Sequence, residues 1–324
     1  MVCSKEEGTM EIPKNLEPIL NIGEEEDSGL QELAYRKKAV LLALVAPYVP
    51  EKISPTQYLS ASLGLSEEFG IETVISHVRK TTKVRKLFIA INTPGGAVDS
   101  SYKIAKALGK SFDDITVFVP YLAASGGTLI SLLGKEIVMG LMSHLTPIDP
   151  QWGSTPLNSL PRAFSKLVEY FEKKDKKDAP YPWIALTDKI DPVELETYNG
   201  IITTVRNYAF EILLNVHRGR KSPEDISKIA NFLIEGFSSH SALLGLERVS
   251  GIGLPGVPSS EYGADWELMR DWIGRYFLKS DSQHFIRCVI PKKIRKPKPA
   301  TKDKTNGELK ATTDGRKSKV QLRI

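Results

Sequence analysis

Between residues 35 and 260 the apolar positions follow two rhythms that alternate along the chain. Continuous apolar runs at Ala39 to Ala46 and Leu87 to Ile91 predict buried strands, the second buried on both faces, and Ile115 to Val119 and Glu136 to Met139 predict two further short strands. Elsewhere apolar residues recur in steps of three and four. This spacing predicts helices over about 97–110 (Val98, Tyr102, Ala105, Leu108), 126–133, 157–174, 192–217 and 222–235, with Pro192 and Pro223 suited to first turns. Strands alternating with helices, then helices alone, predict an α/β domain with a mainly helical second half. Residues 1–34 are polar and aperiodic and read as a flexible leader; residues 261–290 read as a C-terminal helical extension.

Composition narrows what such a domain can be. With 324 residues, 41% hydrophobic and 26% charged, the chain has the balance of a soluble globular protein. The run from Ala39 to Ala46 is far shorter than the roughly 20 residues a membrane-spanning helix needs, and no signal-peptide pattern opens the chain. No transmembrane segment and a cytoplasmic location are therefore expected. Cys3 and Cys288 are the only cysteines, which excludes a disulfide scaffold and a cysteine-ligated metal. The net charge of +5 hides an asymmetry, because residues 291–324 hold 12 Lys and Arg against 3 Asp and Glu, a surplus of +9, leaving −4 elsewhere. That stretch reads as a basic disordered tail whose expected contact is with polyanions.

The candidate chemistry lies where two predicted strands end. Asn92-Thr93-Pro94-Gly95-Gly96 follows one, and Ala123-Ala124-Ser125-Gly126-Gly127-Thr128 follows the next about thirty residues later. A serine at a strand-to-helix turn can act as a nucleophile, and glycine-rich turns leave backbone N–H groups to hold an oxyanion. The start of a buried helix also favours negative charge beside the serine. Either segment alone serves close strand–helix packing equally well, but together they match the two parts acyl transfer requires. No H-E-x-x-H, no ligand cluster and no phosphate-binding loop is present, so neither metal nor cofactor is expected.

From Phe88 to Gly153, the segments Ile91 to Gly96, Val117 to Ile130 and Leu145 to Gly153 resemble the serine dehydrogenase proteinase family of the Clp protease and crotonase superfamily, with similar glycine–serine segments in signal peptide peptidase A. The resemblance implies a Clp/crotonase-like spiral of β-β-α units over 35–260, homo-oligomers, and metal-independent cleavage of protein or peptide substrates. It also implies Ser125 as nucleophile and the Gly96 and Gly126 N–H groups as oxyanion donors. Many members of that family bear an N-terminal membrane segment, which is not read here.

The general base stays open at this point. His144 falls where the Clp proteases carry their histidine, and His240, in Phe237-Ser238-Ser239-His240-Ser241, falls where serine dehydrogenase proteinases place one. Asp149 is the candidate to orient a histidine, with Glu235 as a second beside His240. A lysine such as Lys174, in the run Glu172 to Lys177, is the other route, since signal peptide peptidase A pairs serine with lysine. His77, His217 and His284 are assigned no chemistry. Two other functions share this fold: coenzyme A thioester chemistry without a serine nucleophile, and a non-catalytic interaction protein.

Overall fold

Side chains alternate across a strand, so a central strand must find apolar partners on both sides of its sheet. The computed structural model describes residues 20–46, 52–54, 57–58, 62–152, 155–172, 191–277 and 284–292. Its strands are β1 (Leu20–Glu24), β2 (Val40–Val45), β3 (Lys52–Ser54), β4 (Gln57–Tyr58), β5 (Lys86–Asn92), β6 (Asp114–Val119), β7 (Leu122–Ala123), β8 (Glu136–Met139), β9 (His144–Leu145), β10 (Gln151–Trp152), β11 (Thr155–Pro156), β12 (Gly256–Pro258) and β13 (His284–Val289). The helices are α1 (Ser28–Lys37), α2 (Leu65–Thr81), α3 (Val98–Ser111), α4 (Gly126–Ser131), α5 (Ser159–Glu172), α6 (Pro192–Val216), α7 (Pro223–Glu235), α8 (Leu246–Gly251) and α9 (Ala264–Phe277).

Seven strands form the main sheet in the order β1-β13-β2-β5-β6-β8-β12. From β2 to β12 every pairing is parallel; β13 runs antiparallel to β2 and carries β1 parallel to itself at the edge. Leu42, Leu44, Ile89, Ile91, Val117 and Val119 join the apolar layer built by α2, α3, α4, α6 and α7. The alternate residues Leu41, Ala43, Phe88, Ala90 and Phe118 pack with α1 and with Trp266, Met269, Trp272 and Tyr276 of α9. The continuous apolar runs are thus the middle layer of a three-layer α/β fold, and the segment from 191 to 251 is mainly helical.

Two expectations about the flanks change. Residues 20–34 are no leader: β1 enters the main sheet, and α1 is capped by Asp27, whose carboxylate accepts the N–H groups of Gly29 and Leu30 at 2.9 and 3.0 Å. Nor are residues 261–290 an appended helix. α9 covers one face of the sheet, and β13 lies inside it between β1 and β2. The short apolar content of each segment looks insufficient alone, but each completes a surface made by the other. Residues 1–19 and the tail from 293 onward lie outside the described residues. Among the described residues no helix is long and apolar enough to cross a membrane.

The parallel pairing of β5 with β6 decides where the chemistry-bearing segments go. Both glycine-rich turns leave the carboxyl ends of neighbouring strands, the edge at which open α/β sheets hold ligands.

Candidate active site

Beyond β5 the chain continues through Thr93, which pairs with the β7 segment. The Thr93 N–H donates to Leu122 O at 2.9 Å, and the Ala124 N–H donates to Thr93 O at 3.0 Å. The buried Asn92 adds a side-chain clamp, accepting the Leu122 N–H at Oδ1 over 3.2 Å. These bonds fix the Gly95-Gly96 turn against the approach to Ser125. Ser125 itself has φ 47° and ψ −108°, a left-handed conformation that costs a non-glycine residue about 1–3 kcal/mol. The cost is borne by its neighbours: its N–H donates to Thr146 Oγ1 at 2.9 Å, and its carbonyl accepts the Leu129 N–H at 3.0 Å.

Three glycines make this turn possible. Gly95 has φ 103°, and a Cβ there would stand 2.8 Å from Ser125 Cβ and 3.1 Å from Gly126 N. A Cβ on Gly126 would meet Ser101 Oγ at 2.2 Å and Gly96 N at 3.4 Å. On Gly96 it would strike the Leu63 backbone at 2.2 Å. The amides of Gly96 and Gly126 therefore lie close together beside Ser125, and neither donates to an acceptor among the described residues.

The segment that holds Ser125 also holds a histidine–carboxylate pair. Leu145 exchanges two backbone hydrogen bonds with Leu244, both 3.0 Å, and the Ile148 N–H donates to Leu233 O at 3.0 Å. Between these ties, Asp149 is buried and its Oδ1 lies 2.8 Å from His240 Nδ1. The His240 side chain is 23% exposed, so the ring has one nitrogen on the carboxylate and an edge open to solvent. A proton on Nδ1 donates to Asp149 and leaves Nε2 as the acceptor, the tautomer a general base requires.

The other base candidates are placed differently. His144 Nδ1 lies 3.3 Å from Met142 O, and no carboxylate pairs with it among the described residues. Glu235 forms an ion pair with Arg206, and the carboxylate at His240 is that of Asp149. Lys174 lies outside the described residues. The hydrogen bonds of Ser125 among the described residues are those of its main chain. Sequence reasoning missed Thr146, although it lies in the Leu145 to Gly153 segment, and missed Leu63, which no local signal marks.

Residues 68–275 match the model of the ClpP-like SDH-type serine proteinases. The chain belongs to that family. Two uncharacterized proteins of Methanocaldococcus jannaschii are similar to this family member: one is 30% identical over 194 residues, 59% of this chain and 61% of its own, and the other 28% identical over 184 residues, 56% of each. The chain thus spans about three fifths of the length of the curated relatives it matches. Among solved structures, a mutant of the 1510-N membrane-bound stomatin-specific protease aligns over 61% of this chain and 75% of its own, at 16% identity and a TM-score of 0.39.

Cys288, His77 and His217 of this SDH-type proteinase family member are each buried or paired. The Cys288 thiol is pushed up to about 12 by burial, which removes it as a thiolate nucleophile. His77 contacts Glu24 Oε1 at 2.5 Å, linking α2 to the end of β1. His217 is buried at the end of α6, and burial, aided by the charges of Lys221 and Arg220, lowers its pKa. A cavity of about 420 Å³ among α5, α6 and α7 is lined by Arg162, Arg206 and Glu235 and does not include Ser125.

Proposed function

We propose that the chain is a serine endopeptidase that cleaves protein or peptide substrates, as a homo-oligomer, by a metal-independent reaction. Ser125 Oγ attacks the scissile carbonyl carbon while His240 Nε2 takes the hydroxyl proton, and Asp149 holds the ring and stabilises the imidazolium. The carbonyl oxygen becomes an oxyanion that accepts the Gly96 and Gly126 N–H groups. Return of the proton to the leaving amine breaks the peptide bond and leaves an acyl-enzyme. Water, deprotonated by the same histidine, then releases the acid and restores Ser125.

The observation that carries this reading is the strained Ser125 turn beside two amides with no acceptor of their own among the described residues. A packing serine has no need of either. Covalent labelling with a fluorophosphonate, followed by peptide mapping, should place the adduct on Ser125 and be abolished in Ser125→Ala. Failure of the folded wild-type protein to label, with acyl-thioester turnover retained in Ser125→Ala, would replace the peptidase with the thioester reading.

A further inference from the structure

Leu63 stands opposite Gly96 in an isolated parallel bridge. Its N–H donates to Gly95 O at 2.7 Å and its carbonyl accepts the Ala97 N–H at 2.9 Å. Because the residues flanking Gly96 satisfy both polar groups of Leu63, the N–H and C=O of Gly96 point to the opposite edge of the strand. That edge is the one beside Gly126. Leu63 therefore sets the aim of one proposed oxyanion donor.

Next to Leu63 the chain is anchored by a buried carboxyl group. Gly64, the N-cap of α2, donates its N–H to Glu67 Oε2 at 2.6 Å, the reach-back of a third-position glutamate to its cap. Such a cap does not require burial. Glu67 is instead 2% exposed, and its other oxygen, Oε1, lies 2.7 Å from Nδ1 of His284, itself 2% exposed, in ion-pair contact though out of line for a hydrogen bond. Burying an unpaired carboxylate costs several kcal/mol, so the imidazole is what permits Glu67 to sit there. The carboxylate consequently locks α2, β13 and the Leu63-Gly64 segment into one arrangement. Both residues fall outside the 68–275 span shared with the family.

We propose that Glu67 and His284 are positioning residues for the oxyanion site: together they hold Gly64, and through it Leu63, so that the Gly96 N–H faces the reacting carbonyl. This rests on the reading of Gly96 as an oxyanion donor. A donor that is misaimed but not removed should lose part of the roughly 10²–10³-fold effect of deleting one.

The test compares wild type, Glu67→Ala, Glu67→Gln and His284→Gln for peptide turnover, fluorophosphonate labelling and inhibition by a peptide aldehyde, whose hemiacetal oxygen needs the same donors. In Glu67→Ala, kcat should fall about tenfold with KM within twofold, and aldehyde affinity should weaken by the same factor, the signature of transition-state loss alone. Glu67→Gln, which still accepts the Gly64 N–H, should recover most of the kcat, and His284→Gln should fall between them. If Glu67→Ala fails to fold, the glutamine variants carry the same comparison. Folded variants with unchanged kcat and aldehyde affinity, or with losses confined to KM, would overturn the positioning role while leaving a labelled Ser125 intact. A wild-type protein unlabelled at Ser125 would overturn the peptidase reading, and the positioning role with it.

Discussion

The Ser125 turn and the Asp149–His240 pair are built by opposite means. The turn is assembled from backbone hydrogen bonds between segments that leave adjacent parallel strands, with side chains reduced to glycine wherever the main chain must close up. The pair is a single side-chain contact between a loop and the segment after α7, suspended by ties at Leu145, Ile148 and Leu244. The Ser125 turn and its amides thus depend on local geometry that few substitutions can imitate. The Asp149–His240 pair depends on how the helical layer docks.

The largest separation between the two should come from Ser125→Ala. Loss of the nucleophile lowers turnover by up to about 10⁶-fold in proteases of this logic, while thermal stability stays near wild type because alanine accepts the same backbone as poorly as serine does. Wild-type cleavage of an unstructured protein by purified Ser125→Ala would end the assignment. On the other side, His240→Ala should reduce kcat by about 10²–10⁴, the usual share of general acid–base catalysis, and Asp149→Asn should follow in the same direction. His144→Ala should cost less than tenfold; a larger loss there than in His240→Ala would exchange their roles.

The glycines test the turn more finely. Gly96→Val and Gly126→Val place a Cβ within 2.2 Å of Leu63 O and Ser101 Oγ, so each should lose about 10²–10³ in kcat and also melt earlier. Circular dichroism read beside the assay separates the two effects, and full activity in folded variants would remove these amides from the chemistry. The smallest effect concerns the helical layer. His217 is held neutral in the native state while the unfolded chain protonates near the ordinary value of about 6.5, so its contribution is complete above that pH and is lost as pH falls toward the lower native value. Melting temperatures between pH 7 and 5 should fall more steeply for wild type than for His217→Gln. Parallel curves would remove His217 from the acid sensitivity of the fold.

What could be read from the sequence divides along the same line. β2, β5, β6 and β8 were legible because a strand buried on both faces writes itself as a continuous apolar run, and α6 and α7 because Pro192 and Pro223 mark their first turns. Ser125 and its glycines were legible because the turn is local. β1 and β13 were not, since they carry polar residues such as Asn21, Glu24 and Arg287 and acquire their register from each other and, for β13, from the distant β2. The sequence points first to Asp149 and second to Glu235; what it could not show is that Asp149 meets His240 while Glu235 pairs with Arg206 of another helix. Glu67 reads at most as a helix-start glutamate and His284 carries no motif; their meeting is a product of topology.

That topology bears on how the protein is made. β13 lies between β1 and β2, so two strands early among the described residues are joined in the sheet only by one of the last described segments. Contacts of such wide sequence separation close late and slowly. A nascent chain that has already extruded Ser125 and both glycine turns still lacks His284, and with it the seal on Glu67. The Glu67–His284 contact therefore joins segments from opposite ends of the described residues, and the Leu63-Gly64 segment is sealed only once β13 has docked.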